Sequence, residues 1–199
     1  MNIIKNKYHH GNLRDEILKA AYNFVSENGY TSMSLRCIAE NCDVSATAIY
    51  RHYKTKEHLL ADVVVKGFTE FNIFVEGDLE ANIFDKCDNY LEFAFDNKNI
   101  YDLLFSQSVV EFLQFPNILE VADSSFQTLL ESVKEHDRSL NDLSASNKAI
   151  HIWSFLHGIS SISKKMDVAL SLPDSEMPIP VRSVKRARSN LRQFIEDLF

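Results

Sequence analysis

Glycine and proline are scarce in this sequence, with 5 and 4 residues among 199. All-β folds need a turn every few residues, so this shortage points to long helices. No run reaches the about 18 uncharged apolar residues of a membrane-spanning helix, so no membrane contact is expected. The N-terminus is polar and basic, without the apolar stretch of a secretory signal, which leads to the expectation of a cytoplasmic protein. Cysteine is limited to Cys37, Cys42 and Cys87. That odd count, without tight metal spacing, fits a reducing compartment, and neither a metal nor another cofactor is expected. Ser160, Ser161 and Ser163 stand near His157, but no nucleophile-elbow glycine pattern and no orienting acid accompany them, so a serine enzyme is not indicated.

Apolar residues make up 45% of the chain, enough for a sizeable core. The net charge is −7, but it is unevenly spread. Residues 1–58 carry +2 and residues 59–199 carry −9. Four of the seven histidines, His9, His10, His52 and His58, lie in the first part. A basic contact module on an acidic body is the reading of that asymmetry.

Periodicity organises the chain into helices. Leu13, Ile17, Ala20, Ala21, Phe24 and Val25 follow the spacing of an amphipathic helix, closed at Gly29, which can take the left-handed C-cap conformation. Ser34 is a plausible N-cap for a second helix, with Leu35, Ile38, Ala39 and Cys42 as its buried stripe. Ser45 caps a third, with Ala48, Ile49 and Tyr53 facing inward. A fourth begins at Thr55 and Lys56 and runs through Val63, Val64, Phe68, Phe71, Phe74 and Val75. Further helices are expected from Leu79 to Phe95, from Ile100 to Phe115 with a break at Pro116, from Ile118 to Val133, from Asn147 to Leu170 and from Val181 to Phe199. The stretch "HDRSLNDLSAS" reads as a loop and "SLPDSEMPIP" as an exposed connection.

Two short helices a few residues apart form a helix-turn-helix unit, whose second helix enters the DNA major groove. From Ser45 to Lys56 there is no acid. Hydroxyls there can reach phosphates or base edges, arginine can pair with guanine, and lysine supplies charge to phosphate. Lys5, Lys7, His9 and His10 form a basic arm, either free in solution or reaching phosphate or minor groove.

From Leu13 to Leu60 the sequence resembles the DNA-binding domain of the TetR/AcrR family of bacterial transcriptional regulators. The likeness is carried by the helix-1 alanine pair, the Gly-Tyr after it, Ile-Ala in helix 2 and the run "YRHYKTKEHL". "YHHGNLR" is similar to the opening of many members. "WSFLHGI", Trp153 to Ile159, looks like the Trp…His-Gly element of one C-terminal domain type in the family.

The resemblance implies an all-α homodimer. Residues 1–58 would be a helix-turn-helix head with its basic arm, and residues 59–199 a helical effector-binding and dimerisation body. It implies a repressor, not an enzyme, bound to a near-palindromic double-stranded DNA operator and released by a small-molecule effector. The implied DNA contacts are Ser34, Arg36, Ser45, Ala46, Thr47, Ala48, Tyr50, Arg51, His52 and Lys56. Phosphate contacts fall to the tyrosine, the histidine and Lys56, and base reading to the region of Ala46, Thr47 and Arg51. Asp43 departs from the family, which usually has glycine in the turn.

Phe68, Phe71, Phe95, Phe105, Phe112, Phe126, Trp153, His157 and Met166 are candidates for an effector pocket; plain core packing is the alternative for each. Gly158 after His157 allows a close helix approach. Acids and aromatics in the body suit a lipophilic, cationic effector. Control by a protein partner without any small ligand is the second reading, and an α-helical enzyme or carrier built on the acidic body the third.

Overall fold

The computed structural model describes residues 13–105 and 115–199. Phe112 and the basic arm Lys5, Lys7, His9 and His10 lie outside the described residues. Among the described residues the regular structure is entirely helical: α1 (Leu13–Asn28), α2 (Leu35–Asn41), α3 (Ala46–His52), α4 (Lys56–Glu76), α5 (Ile83–Asp96), α6 (Lys98–Phe105), α7 (Pro116–His136), α8 (Asp142–Lys165), α9 (Asp167–Leu170), α10 (Ile179–Ser189) and α11 (Leu191–Glu196). None of the described helices is long and apolar enough to cross a membrane.

The described residues form two compact units, 13–67 with 99–105 and 115–118, and 68–98 with 119–199. The expected division at 58/59 falls inside α4, which runs through it without a break.

In the first unit, Ile17, Ala21 and Val25 of α1 are fully buried together with Ile38, Ile49, Leu59, Val63 and Val64. Burying each such aliphatic side chain is worth about 1.5–3 kcal/mol, which is what holds helices as short as α2 and α3 in place. Gly29 sits at φ +76 and its N–H donates to the Val25 carbonyl at 2.8 Å, closing α1 as its sequence position predicts. Gly67 allows a close crossing of α4 and α6: a methyl there would stand 3.0 Å from Leu104 and 3.3 Å from Ile100. Asn99 ties α6 to α1 by donating to the Ser26 carbonyl at 2.8 Å.

The second unit is built on Ala145, Ala149, Ile152 and Leu156 of α8, all buried, and on an aromatic group on α4 and α5. Phe71 meets Tyr90 and Phe93 edge-on at 5.3 and 5.1 Å between centroids, and Phe74 meets Phe93 at 5.8 Å. The Asn72 amide donates to the Val121 carbonyl at 3.1 Å and accepts from the Ser125 hydroxyl.

Several boundaries differ from the periodic pattern. The fifth helix starts at Ile83, not Leu79, because Gly77 at φ +64 ends α4 and a reciprocal cap between Asn82 and Asp85 opens α5. Leu79 is left fully in solvent. Pro116 opens α7 rather than breaking a helix; its missing N–H is tolerated in a first turn. The expected loop at 136–146 is short, since Asn141 accepts from the Ser144 N–H at 2.9 Å and starts α8. Met166 separates α8 from α9, and Asn190, at φ −126, divides the expected last helix into α10 and α11. Within "SLPDSEMPIP", Met177 is buried while its neighbours are exposed. Cys42 is a half-buried C-cap rather than part of the fully buried stripe. Among the described residues Gly158 makes no close approach, as nothing lies within 4 Å of a methyl placed there.

Candidate nucleic-acid interface

The helix-turn-helix begins with its caps. The Ser34 hydroxyl accepts from the Cys37 N–H at 3.2 Å and the Ser45 hydroxyl accepts from the Ala48 N–H at 3.3 Å. Each satisfies an amide that a helix start would otherwise leave unpaired. Each hydroxyl hydrogen remains available to donate outward. Between the helices, Asp43 adopts φ +52, the left-handed conformation that glycine takes most easily. The Val44 N–H then donates to the Ala39 carbonyl at 3.0 Å, so the turn closes on the end of α2.

This geometry sorts the side chains by face. Leu35, Ile38, Ala39 and Ile49 point into the unit and are buried. Ser34, Arg36, Ser45, Ala46, Thr47, Tyr50, Arg51 and His52 are exposed, while Ala48 and Lys56 are half-buried. Tyr50 keeps 55% of its surface in water, so its hydroxyl is open to an outside partner. The face thus gathers hydroxyls, an aromatic ring, the cations Arg36 and Arg51 and the imidazole of His52, with no acid between residues 44 and 56. Asp43 is the acid at its edge. Lys56 donates to the Thr31 carbonyl at 3.2 Å, which holds its ammonium against the turn between α1 and α2.

A polar network fixes the C-terminal end of α3. Tyr53, its C-cap, is almost fully buried, and its hydroxyl donates to an Asp62 carboxylate oxygen at 2.8 Å. Arg14 of α1 donates to the same oxygen at 2.9 Å and stands 5.4 Å from the Tyr53 ring centroid. Burial, reinforced by the hydrogen bond to Asp62, pushes the Tyr53 phenol up to about 12. The hydrogen bond to Asp62 likewise raises Arg14. A cleft of about 240 Å3 lies beside this network, lined by Arg14, His52, Tyr53, His58, Asp62 and Phe115 among others. His58 meets Phe115 edge-on at 5.5 Å and its Nδ1 lies 2.9 Å from the Thr55 hydroxyl. Arg14 and Asp62 escape sequence reading, because they are 48 residues apart and each reads as an ordinary surface charge.

The effector-pocket candidates have varied settings. Phe68 and Phe71 are buried. Phe105 packs on Tyr101, with centroids 4.6 Å apart. Trp153 bridges Phe126 and His157, at 6.5 and 6.0 Å. Met166 is the half-buried C-cap of α8. Phe95 alone of the described candidates lines a cleft of about 430 Å3 on the second unit. Ser160 donates to the Leu156 carbonyl at 2.8 Å, an internal helix contact.

Comparison with known proteins places these features in a family. Residues 17–63 match the model for bacterial regulatory proteins of the tetR family, and residues 83–176 match the model for a tetracyclin repressor-like C-terminal domain. Over 55 residues the chain is 34% identical to the HTH-type transcriptional repressor KstR of Rhodococcus jostii (strain RHA1), covering 28% of this chain and 26% of that protein. Over 53 residues it is 36% identical to the HTH-type transcriptional regulator UidR of Escherichia coli (strain K12), covering 27% of each. The likeness to these two relatives is therefore confined to about a quarter of their length. A solved structure of a protein with unknown function from Rhodococcus sp. RHA1 has a TM-score of 0.74 at 22% identity, covering 97% of this chain and 98% of that one. The structure of BioQ with its double-stranded DNA operator has a TM-score of 0.61 at 14% identity, covering 93% and 96%. These two share the fold.

Proposed function

The chain belongs to the tetR family of bacterial regulatory proteins, and on that premise we propose that it is a sequence-specific, DNA-binding transcriptional regulator. In this reading it is a homodimeric repressor, released from a near-palindromic operator by a small-molecule effector. The observation that carries the DNA-binding part is the acid-free exposed face of α3, set on a capped turn and backed by a buried apolar side. Ser45, Ala46, Thr47, Tyr50, Arg51 and His52 are the contacts on α3 and its cap. Ser34, Arg36 and Lys56 flank them, and Ala48, half-buried, borders the same face.

The chemistry follows from the residue types. Arg51 offers a planar pair of donors to guanine O6 and N7, whereas Thr47 and the Ala46 methyl can sort thymine from cytosine. Tyr50 and His52 donate to phosphate oxygens, and those contacts fix register without carrying sequence information. Lys56, held against the Thr31 carbonyl by one of its N–H bonds, has others free for phosphate. A twofold axis would present two such helices about one DNA turn apart.

Binding titrations across a salt series test this. Arg51→Ala should weaken operator binding by about 1–3 kcal/mol and relax the base preference at one position of each half-site. Lys56→Ala should weaken all sequences alike and lower the salt slope by about 1 per half-site. Unchanged titrations for both variants would remove the interface from this face. Release of operator by a compound in a small-molecule screen supports effector control; release only by a protein partner would replace it.

A further inference from the structure

On the second unit, Asp88, Leu91 and Phe95 of α5, Leu170 of α9, and Lys185, Arg188 and Ser189 of α10 line the open cleft of about 430 Å3. Its volume lies in the range of small-molecule sites, and its lining joins an apolar side, Leu91, Phe95 and Leu170, to a polar one, Asp88, Lys185, Arg188 and Ser189. The Arg188 guanidinium lies over the Phe95 ring, 3.7 Å from the centroid, so one of its flat faces is covered. Burial pushes its pKa down, against the opposing pull of Asp167. Among the described residues no hydrogen bond and no ion pair reaches Arg188.

The neighbouring charges are already engaged. Asp167 holds Lys98 at 2.6 Å and Lys185 holds Asp174 at 2.7 Å. Asp88 is the acid of the lining; burial, with Asp85 nearby, raises its pKa, and Arg192 opposes that shift. Arg188 is thus a cation with five N–H donors along its edge and none of them used among the described residues. A guanidinium stacked on a ring presents that edge as a fork, the geometry that meets a carboxylate by two parallel hydrogen bonds.

We propose that this cleft binds a small organic monocarboxylate with an apolar body, its carboxylate on the Arg188 fork and its body over Leu91, Phe95 and Leu170. Asp88 would repel a second anionic group, which sets a monocarboxylate apart from a dicarboxylate. The ligand charge is opposite to what the acidic composition of the body leads one to expect, because the deciding group is Arg188, whose guanidinium edge meets no hydrogen bond or ion pair among the described residues. The proposal names a chemistry and a place for the small-molecule effector, and rests on the effector reading only for the regulatory consequence; binding itself is measured without DNA.

The test is calorimetric titration of the full chain with 3-phenylpropionate and with 3-phenylpropan-1-ol, which differ only in the head group. The acid should bind about tenfold or more tightly than the alcohol, the factor expected for a hydrogen bond to a charged group. Arg188→Gln should abolish that preference, and Arg188→Lys should leave a reduced one. Melting curves of both variants report whether they are folded. For the unaltered chain, amide shifts on adding the acid should centre on Leu91, Phe95, Leu170 and Arg188, a readout that needs no variant to fold. Equal affinities for acid and alcohol, no acid binding at millimolar concentration, an unaltered acid affinity in folded Arg188→Gln, or shifts centred elsewhere would each overturn the proposal. Acid binding without operator release would uphold the site and count against effector control through it.

Discussion

At the scale of single residues, the head depends on a few side chains whose partners are remote in sequence. Tyr53 was legible as core from its helical spacing to Ile49, but its hydroxyl needed a buried partner, and nothing in the spacing of Asp62 and Arg14 named them. Tyr53→Phe removes one hydrogen bond and leaves Asp62 with Arg14, so urea denaturation should register a loss of about 1 kcal/mol. Asp62→Ala should cost more, since the Tyr53 hydroxyl and the Arg14 guanidinium would both lose their shared acceptor. His157 carries a different signal. Burial lowers its pKa from the ordinary 6.5, so the folded chain favours the neutral ring. As the pH falls below 6.5 the unfolded chain takes up the proton first, and stability is lost with it. His157→Gln should therefore show a shallower loss of stability on acidification than the unaltered chain, and identical slopes would contradict the assignment. The Cys87 thiol, pushed up to about 12 by burial, should resist iodoacetamide in the native state and react only on unfolding. Mass spectrometry of labelled peptides reads this directly.

At the scale of elements, the helix starts of the head were legible because caps are local. Ser34 and Ser45 act where their position before an apolar run predicts, and Gly29 ends α1 as a left-handed C-cap. Ser45→Ala should destabilise the head by about 1 kcal/mol. The body was read less well for the same physical reason: its boundaries rest on pairs. Asn82 with Asp85, and Asn141 with the Ser144 amide, are polar residues that periodicity counts as loop or as helix surface. Asp43 joins both lessons. Its departure from glycine was visible in the sequence, and the backbone retains the left-handed turn in spite of it, at φ +52. Asp43→Gly relieves that conformation, worth up to about 1 kcal/mol, and removes the acid from the edge of the exposed face. Stability and DNA affinity should both rise, the affinity gain shrinking as salt is added.

At the scale of the whole molecule, a two-headed reading of DNA needs two copies of the chain. Leu143, Ile150 and Trp153 stand exposed on α8, at 72%, 39% and 36%, and their spacing puts them on one side of the helix. A dimer contact is expected on that stripe. Ile150→Glu should shift sedimentation from dimer to monomer and weaken operator binding, while a dimer that survives this change would move the interface elsewhere. All-helical architecture followed from the shortage of turn formers and from periodicity, and the α3 face from its residue types. The 430 Å3 cleft did not, because it forms where Phe95 and Arg188, 93 positions apart, come to stack.

The most direct measurement of the central claim is selection of bound duplexes from a random DNA pool, followed by titration of the enriched site with the unaltered chain and with an Arg51→Ala, Lys56→Ala double variant. The account predicts a twofold-symmetric site with half-sites about one helical turn apart, and binding by the folded variant weakened tenfold or more. No enriched duplex, or equal binding by the folded variant, would contradict it.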